Sequence, residues 1–454
     1  MLKLGFITAV REDSTLWGES FYKRIMPNLG PMYLAGFVEK KRLPVEIQIR
    51  DHLEDFAGFK PNVLGISTLT ENFEFAKQLA RQAKELWNCV VILGGVHITA
   101  LPESMTQDFD YGVIGEGEET LCDLLGAILE GDQSLERMKK IPGIVFHSNE
   151  GLCKTDYRKG IPSLDEIPFP ARERYLKSGG ITYMMTSRGC PYTCSFCTIP
   201  YTSEGYRVHS PQYVVDEIRS IKRHYPEVKH IRIFDDLYIV NRKRVMEIAE
   251  LVAAEGLNQE LSFSCWGRAN LIDEALIASF KKMNMTYVAF GAESGSSRVL
   301  SQIKPGSSVE RNQAAIDQLH DHGVGVACSV ILGHPLETED DLWATYEFIE
   351  KNLPKIFEVE FNVAIPWPGT DLWQIALKNG MVHPQMDFSV LKETAIFPNY
   401  CTDYYPYMNE KIAPERFDLI MADFKKLYWN LFKRNKDVVR PEHYAAKNDI
   451  ARLF

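Results

Sequence analysis

Three cysteines, Cys190, Cys194 and Cys197, fall within eight residues in the run Arg-Gly-Cys-Pro-Tyr-Thr-Cys-Ser-Phe-Cys-Thr that starts at Arg188. The Cys-x3-Cys-x2-Cys spacing puts three soft thiolates on one loop. They can take three corners of a cubane iron–sulfur cluster and leave the fourth iron without a protein ligand. An open iron is a place where a small molecule can bind and receive an electron. The competing assignment is a structural or zinc-bound trio. Zinc would want a fourth Cys or His close by, and the nearest is His209, twelve residues past Cys197. The spacing favours the cluster.

The elements that must carry this loop come in two runs of alternating strands and helices. Strands are expected at Lys3–Thr8, Val45–Arg50, Val63–Ser67, Val90–Leu93 and Tyr111–Ile114, with an amphipathic helix over Phe73–Trp87 in which Phe75, Leu79, Ala83 and Leu86 recur at helical spacing. Strands alternating with helices imply a parallel, doubly wound sheet that binds ligands at the carboxyl ends of its strands. Pro142, Gly143, Gly151, Gly160, Pro162, Pro168 and Pro170 punctuate a hairpin-like connector over 137–180. Six further strands follow, at Ile181–Thr186, His230–Phe234, Leu261–Cys265, Tyr287–Gly291, Gly325–Leu332 and Val359–Ile365, each but the last with a helix after it. Six such units suggest a partial barrel with its chemistry at the strand C-termini. The cysteine loop follows the first of these strands. In the C-terminal region Tyr400, Tyr404, Tyr405 and Tyr407 crowd a loop, and a helix opened by Pro414 carries Phe417, Ile420, Phe424, Leu427, Tyr428 and Leu431 as an apolar stripe. Such a stripe is core more often than a cofactor box.

Four regions result: an N-terminal Rossmann-like α/β domain (1–136), the connector (137–180), a partial (β/α)6 barrel (181–380) and a mostly helical C-terminal cap (381–454). A chain of 454 residues is too long for one ordinary core. Its 45% apolar and 25% charged content is that of a soluble globular protein. The formal charge of −10 argues against nucleic acid or an anionic membrane surface as the main partner. The apolar start stops at Arg11-Glu12-Asp13 without a small-residue cleavage site, so it reads as a first strand and not as a signal peptide. No run reaches the roughly 18 apolar residues of a membrane span. A cytoplasmic location is expected, and the six remaining cysteines show no disulfide framework.

The cysteine loop on the first strand of a six-unit partial barrel resembles the radical S-adenosylmethionine (SAM) superfamily. Residues 1–380 resemble more narrowly the group with an N-terminal cobalamin-binding domain, which includes the anaerobic Mg-protoporphyrin cyclase and many cobalamin-dependent methylases. Gly-Ile-Ser-Thr-Leu-Thr at 65–70, Leu-Gly-Gly-Val-His-Ile-Thr-Ala-Leu-Pro-Glu at 93–103, Gly-Glu-Gly-Glu-Glu-Thr at 115–120 and Leu-Asp-Glu-Ile-Pro-Phe-Pro-Ala-Arg at 164–172 carry the likeness together and in this order.

The resemblance implies a [4Fe-4S] cluster held by Cys190, Cys194 and Cys197, with SAM chelating the fourth iron. It implies an aromatic shield at Phe196, a SAM ammonium read by Asp235 or Asp236, a ribose turn at Glu293 and Ser294, and an adenine edge that includes Ile331 and Pro366. Arg268 could pair with the SAM carboxylate, although a surface ion pair is equally open. Asp235 and Asp236 could instead cap the following helix. Lys304 matches a family position without a clear role, and Gly291 and Gly295 would permit close backbone approach. For cobalamin, Ser67-Thr68-Leu69 and Gly94-Gly95 fit the family's Ser-x-Leu and Gly-Gly elements, and Glu116 falls in the matching Gly-Glu-Gly phrase. The family's Asp-x-His-x-x-Gly is absent, so cobalamin is expected without a histidine lower ligand. His97, also placed among the cobalamin residues, reads better as a structural or interface histidine.

The expected activity is that of a cobalamin-dependent radical SAM enzyme. Methylation of an unactivated carbon of a small molecule is expected, with a flavodoxin or ferredoxin as electron donor. A non-methylating cyclase or rearrangement enzyme is the main alternative. A methylthiotransferase should carry three more cluster cysteines near the N-terminus, and a SAM or cobalamin sensor should have a broken cysteine loop.

Overall fold

The structure, a computed structural model, describes residues 1–10, 29–175, 180–391 and 406–435. The chain forms two compact units. The first comprises Met1–Lys177, Thr198–Glu204 and Pro366–Lys392, and the second Ser178–Cys197, Gly205–Ile365 and Glu393–Phe454. Among the described residues no helix is long and apolar enough to cross a membrane.

In the first unit β1 (Leu2–Thr8), β2 (Val45–Arg50), β3 (Val63–Ser67), β4 (Val90–Gly94) and β5 (Tyr111–Val113) pair in parallel in the order 2-1-3-4-5. Strands covered on both faces must be apolar on both, and Val63 to Ile66 and Val91 to Leu93 are buried without interruption. The order is the flavodoxin-like one and not that of a Rossmann fold proper, with its switch point between β1 and β3. The segment expected as a connector supplies β6 (Ile144–Ser148) and β7 (Gly151–Lys154), which extend the same sheet antiparallel to β5. Only Asn149 and Glu150 separate them, and a two-residue turn joins only antiparallel neighbours.

The helix over Phe73–Trp87 buries Phe73, Ala76, Leu79, Ala80 and Ala83. Its inward face is rotated from the expected stripe, which leaves Leu86 62% exposed. Phe73 sets that rotation by packing edge-on against Phe388, with ring centroids 5.7 Å apart. Phe388 and Trp373 also stack, and the Gln385 amide donates to the Glu103 carbonyl. The helix Asp371–Lys378, which follows the last strand of the second sheet, therefore belongs with the first unit and not with the barrel.

The second unit holds β8 (Ile181–Met184), the short antiparallel pair β9 (Ser187–Arg188) and β10 (Arg207–Val208), then β11 (His230–Ile233), β12 (Ser262–Gly267), β13 (Met285–Glu293), β14 (Gly325–Leu332) and β15 (Glu358–Val363). β8 and β11–β15 form one all-parallel sheet in chain order, 8-11-12-13-14-15. The two end strands are not paired, so this is an open six-stranded partial barrel and not a closed eight-stranded one. The crossover helices start on side-chain caps: Ser210, Asp273 and Ser308 each accept the backbone N–H three residues on. Thr338 and Asp341 form a reciprocal capping box.

The helix Pro414–Asn435 spends its stripe on the core of this unit. Phe417, Ile420, Met421, Phe424, Leu427 and Leu431 are all buried, and the Phe424 ring lies 5.3 Å from Phe361 of β15 and 5.5 Å from Tyr346. Tyr407 packs on Phe417 and donates to the Ile412 carbonyl, while Tyr400, Tyr404 and Tyr405 lie outside the described residues. A Phe424→Ala variant should lose about 3–5 kcal/mol in denaturant unfolding, the usual cost of emptying a buried Phe site. A loss below about 1 kcal/mol would mean that the helix is a peripheral cap.

Candidate active site

In the second unit the site gathers at the carboxyl ends of the parallel strands. Register brings its first pair of elements together. Ile233 of β11 lies beside Met184 of β8, so two residues further on Asp235 comes level with Thr186. There the Asp235 carboxylate accepts the Thr186 backbone N–H, the Thr186 hydroxyl at 2.6 Å and the Ser187 hydroxyl at 2.7 Å. Burial pushes its pKa up, against the nearby Arg244 charge and these donors. Arg244 donates to the carbonyls of Thr186 at 2.6 Å and His209 at 2.7 Å, tying the chain before and after the cysteine loop. Asp236 accepts the N–H of Gly189, one residue before Cys190, at 3.0 Å. Burial lifts its carboxyl to about 6, with the Asp235 charge adding and the Gly189 N–H opposing. Asp235 is thus turned inward as a brace of the loop, and neither aspartate caps the helix Arg242–Ala254, whose cap is Asn241.

The three cysteines are half-buried free thiols. Burial raises the pKa of Cys190, with the Cys194 and Asp236 charges adding to it and the Tyr192 N–H and Arg268 opposing. The loop is pinned by Ser195 N–H donating to the Ile303 carbonyl and Cys197 N–H donating to that of Cys194. Arg268 is also spent here. It donates to Asn270 Oδ1, to the Pro305 carbonyl and to Cys194 Sγ, with its guanidinium 3.9 Å over the Tyr192 ring. Among the described residues no three His, Cys, Asp or Glu groups converge as ligands of one metal ion. Thiolates that each take a different iron of a cubane stand further apart than ligands of a single ion, so a cluster does not require that convergence. Three thiols with a guanidinium beside one of them suit an anionic iron–sulfur cluster.

At the end of β13 the pairing with β14 shifts register between Gly291 and Glu293, and Glu293 takes a left-handed φ of 61°. That conformation is costly for a residue with a Cβ. The Glu293 carboxylate pairs with Lys304 Nζ at 2.9 Å in a largely buried position, and Lys304 also donates to the Gly291 carbonyl. A Cβ on Gly291 would stand 1.7 Å from Glu293 Oε1, so this glycine makes room for the carboxylate and not for a ligand. Gly295 likewise serves the approach of the helix Glu339–Asn352, since its Cβ would meet the Ala344 carbonyl at 2.3 Å. Ser294 is fully buried with its hydroxyl against Thr345 and accepting the Ser296 N–H. Phe196 and Ile331 are half-buried, the latter in β14, and Pro366 falls in the first unit.

In the first unit the expected cobalamin residues divide. Ser67 ends β3 opposite Gly94 of β4, and the Thr68 N–H donates to the Gly94 carbonyl. Gly95 has φ 105° and lies against the Thr68 backbone, where a Cβ would come within 2.5 Å of the carbonyl oxygen. A Cβ on Gly94 would meet nothing within 4 Å, so the carboxyl end of β4 faces open space that a nucleotide tail could fill. Leu69 precedes a buried turn, Thr70–Asn72, and Glu116 lies half-buried after Gly115 in the turn beyond β5. His97 does not belong to this cradle. Its Nδ1 meets the Thr70 hydroxyl at 3.2 Å and its Nε2 that of Ser104 at 2.9 Å. The ring packs on Phe73 and Phe388, and burial holds its pKa down near 3, with Lys77 adding. Both nitrogens are consumed in the core.

Thr186, Ser187, Arg244 and Tyr192 went unnoticed in the sequence. Two hydroxyls closing an apolar strand just before the cysteines were the one available signal for the first pair. Nothing in a single sequence marks Arg244.

The Radical SAM superfamily model matches residues 184–349 and the B12 binding domain model residues 22–125. An uncharacterized methyltransferase of Pyrococcus horikoshii is 31% identical over 80% of this chain and 82% of its own length. The anaerobic magnesium-protoporphyrin IX monomethyl ester cyclase of Rubrivivax gelatinosus is 27% identical over 75% of this chain and 65% of its own length. The solved structure of the radical SAM methyltransferase TsrM from Kitasatospora setae superposes with a TM-score of 0.72, at 17% identity, over 94% of this chain and 89% of that one, which shows a shared fold. The chain belongs to the radical SAM superfamily, in the group that joins this domain to a B12-binding domain. It is a cobalamin-dependent radical SAM enzyme of the methylase type, and its two domains imply a [4Fe-4S] cluster, SAM and cobalamin.

The core assignment of His97 has a pH signature. An unfolded His97 takes a proton near pH 6.5, whereas the folded one resists until about 3, so acidification favours unfolding. This stability contribution is complete above pH 6.5 and falls below it, by up to about 2 kcal/mol at pH 5. His97→Gln should flatten the loss of stability between pH 7 and pH 5 in urea titrations. Equal losses in both proteins would show that His97 is not buried neutral.

Proposed function

We propose that Cys190, Cys194 and Cys197 hold a [4Fe-4S] cluster at the rim of the open barrel, and that the enzyme methylates an unactivated carbon of a small molecule. When bound, the cluster supplies an electron that splits SAM to methionine and a 5′-deoxyadenosyl radical, and the corrin supplies methyl transfer. The observation that carries the reading is the cysteine loop fixed by buried groups at strand C-termini, within the radical SAM match. The chain's own residues bind, orient and keep water out. Asp235 and Arg244 fix the loop's entry and return. Asp236, with only one oxygen given to Gly189, is the aspartate we assign to the SAM ammonium. Glu293, held by Lys304, offers a carboxylate edge for the ribose hydroxyls, with Phe196 and Ile331 as apolar walls for the adenosine. Ser67, Gly94, Gly95 and Glu116 form the cobalamin cradle, without a histidine ligand. A flavodoxin or ferredoxin supplies the electron.

A second reading, a cyclase or rearrangement enzyme with the same cofactors, draws support from the cyclase of Rubrivivax gelatinosus among the relatives. The product separates the two. A mass gain of one CH2, with S-adenosylhomocysteine formed alongside 5′-deoxyadenosine, is expected for methylation. Product without that gain favours the second reading.

Anaerobically reconstituted enzyme with SAM and a low-potential reductant should release 5′-deoxyadenosine, and Cys190→Ala, Cys194→Ala or Cys197→Ala should each reduce this to background. Undiminished release from the alanine variants would sink the radical mechanism. For the corrin, Gly94→Phe should fill the open end of β4 and abolish retention of hydroxocobalamin, read by its visible absorbance after desalting, with circular dichroism unchanged. Normal retention would move the cradle elsewhere.

A further inference from the structure

Arg268 sits just past β12, at the rim of the open barrel, and is almost wholly buried. Its hydrogen bonds and its ring contact converge on the cysteine loop or on what supports that loop. Nη1 donates to Cys194 Sγ at 3.5 Å, Nη2 to the Pro305 carbonyl, and Nε to Asn270 Oδ1 at 2.9 Å. Its flat face lies 3.9 Å from the centre of the Tyr192 ring, midway between Cys190 and Cys194 in sequence. The same stretch is tethered a second time, since Ser195 N–H donates to the carbonyl of Ile303, two residues before Pro305. A guanidinium is suited to this place because it is planar, stacks on aromatic faces and presents donors in a fixed fork. An ammonium could not reach Asn270, Pro305 and Cys194 at once.

We infer that Arg268 is a positioning and tuning residue for the cluster: its guanidinium donates to the thiolate of Cys194, locks the Tyr192 segment over Pro305, and raises the reduction potential of the iron–sulfur centre. The physical ground is the charge it places beside a ligand sulfur. Reduction adds negative charge to the cluster and its thiolates. A buried cation with an N–H aimed at one of those sulfurs stabilises the reduced form more than the oxidised one, and hydrogen bonds to sulfur are among the established determinants of such potentials. The burial of Arg268 strengthens the effect, because little water screens it. This role rests on the proposed cluster and adds to it a residue whose contacts run to the loop and its supports.

The test is an anaerobic redox titration of the reconstituted full-length chain, followed by electron paramagnetic resonance, with iron per chain measured on the same samples. Arg268→Gln keeps a hydrogen-bonding amide but no charge. Its midpoint should drop by at least about 59 mV, the equivalent of a tenfold change in a one-electron equilibrium. Arg268→Lys keeps the charge without the fork and should fall between Gln and wild type. If Arg268→Gln does not fold, judged by circular dichroism, the Lys variant carries the same test. A folded variant that loses iron while wild type retains it supports the holding role. Either variant titrating at the wild-type midpoint with full iron overturns the inference. A wild-type chain that assembles no four-iron cluster would instead overturn the proposed function, so the two failures are distinguishable.

Discussion

The buried carboxylate of Asp235 is the contact on which the cysteine loop depends. Three thiols on a loop can act as a set only if the loop enters and leaves at fixed points. β8 ends at Met184, five residues before Gly189, and only the short β9–β10 pair, Ser187–Arg188 with Arg207–Val208, continues a ladder there. The neighbouring strand supplies the missing order: parallel register puts Asp235 level with Thr186, and the carboxylate takes one amide and two hydroxyl hydrogens there. Burial pushes the Asp235 pKa up, and the Arg244 charge and the donors oppose it. Arg244 then fixes the carbonyls of Thr186 and His209 on the two sides of the loop. Burying charged groups like these brings little net stability, because desolvation offsets much of the gain. Their value here is geometric: their hydrogen bonds fix where the loop enters and where it returns.

The same economy operates across the sheet at β13. A register shift and a left-handed Glu293 interrupt an otherwise regular strand pair, which is a local cost with no return in packing. Gly291, without a side chain, leaves room for the displaced carboxylate, and Lys304 reaches back from the end of the following helix to neutralise it. A residue held this way cannot drift when charge changes nearby. Strain of this sort persists only where the surroundings over-determine it, and here glycine, lysine and the β14 edge do so together.

Much of this was legible in the sequence, for identifiable reasons. Strands buried on both faces announce themselves as short apolar runs between turn residues, so the parallel strands of both sheets were found to within a few residues. The cysteine spacing was equally plain, because it is local. What could not be read was whatever depends on long-range register or on a partner distant in sequence. Arg268 looked available for a ligand because nothing in its own neighbourhood reveals Tyr192 or Pro305. Asp235 looked like a ligand reader or a cap because its partners, Thr186 and Ser187, lie some fifty residues earlier. The rotated face of Phe73–Trp87 was misjudged for the same reason, since Phe388 fixes it from more than three hundred residues away.

At the carboxyl end of β4 the first unit is written in backbone and small residues. At the carboxyl end of a parallel sheet the strand termini already present unpaired N–H and C=O groups, and side chains there mostly get in the way. Thr68 and Gly95 approach closely enough that only a glycine fits the second position, and Gly94 beside it projects nothing into the opening. His97, close in sequence to this edge, is turned down into the core. Its two nitrogens are hydrogen-bonded, its ring lies between Phe73 and Phe388, and its pKa is depressed near 3. Drawing that imidazole out to a metal would break both hydrogen bonds and open a cavity among aromatic rings, each a cost of order 1–3 kcal/mol. An edge built on those terms leaves space beside backbone and small residues, with this imidazole held in the core.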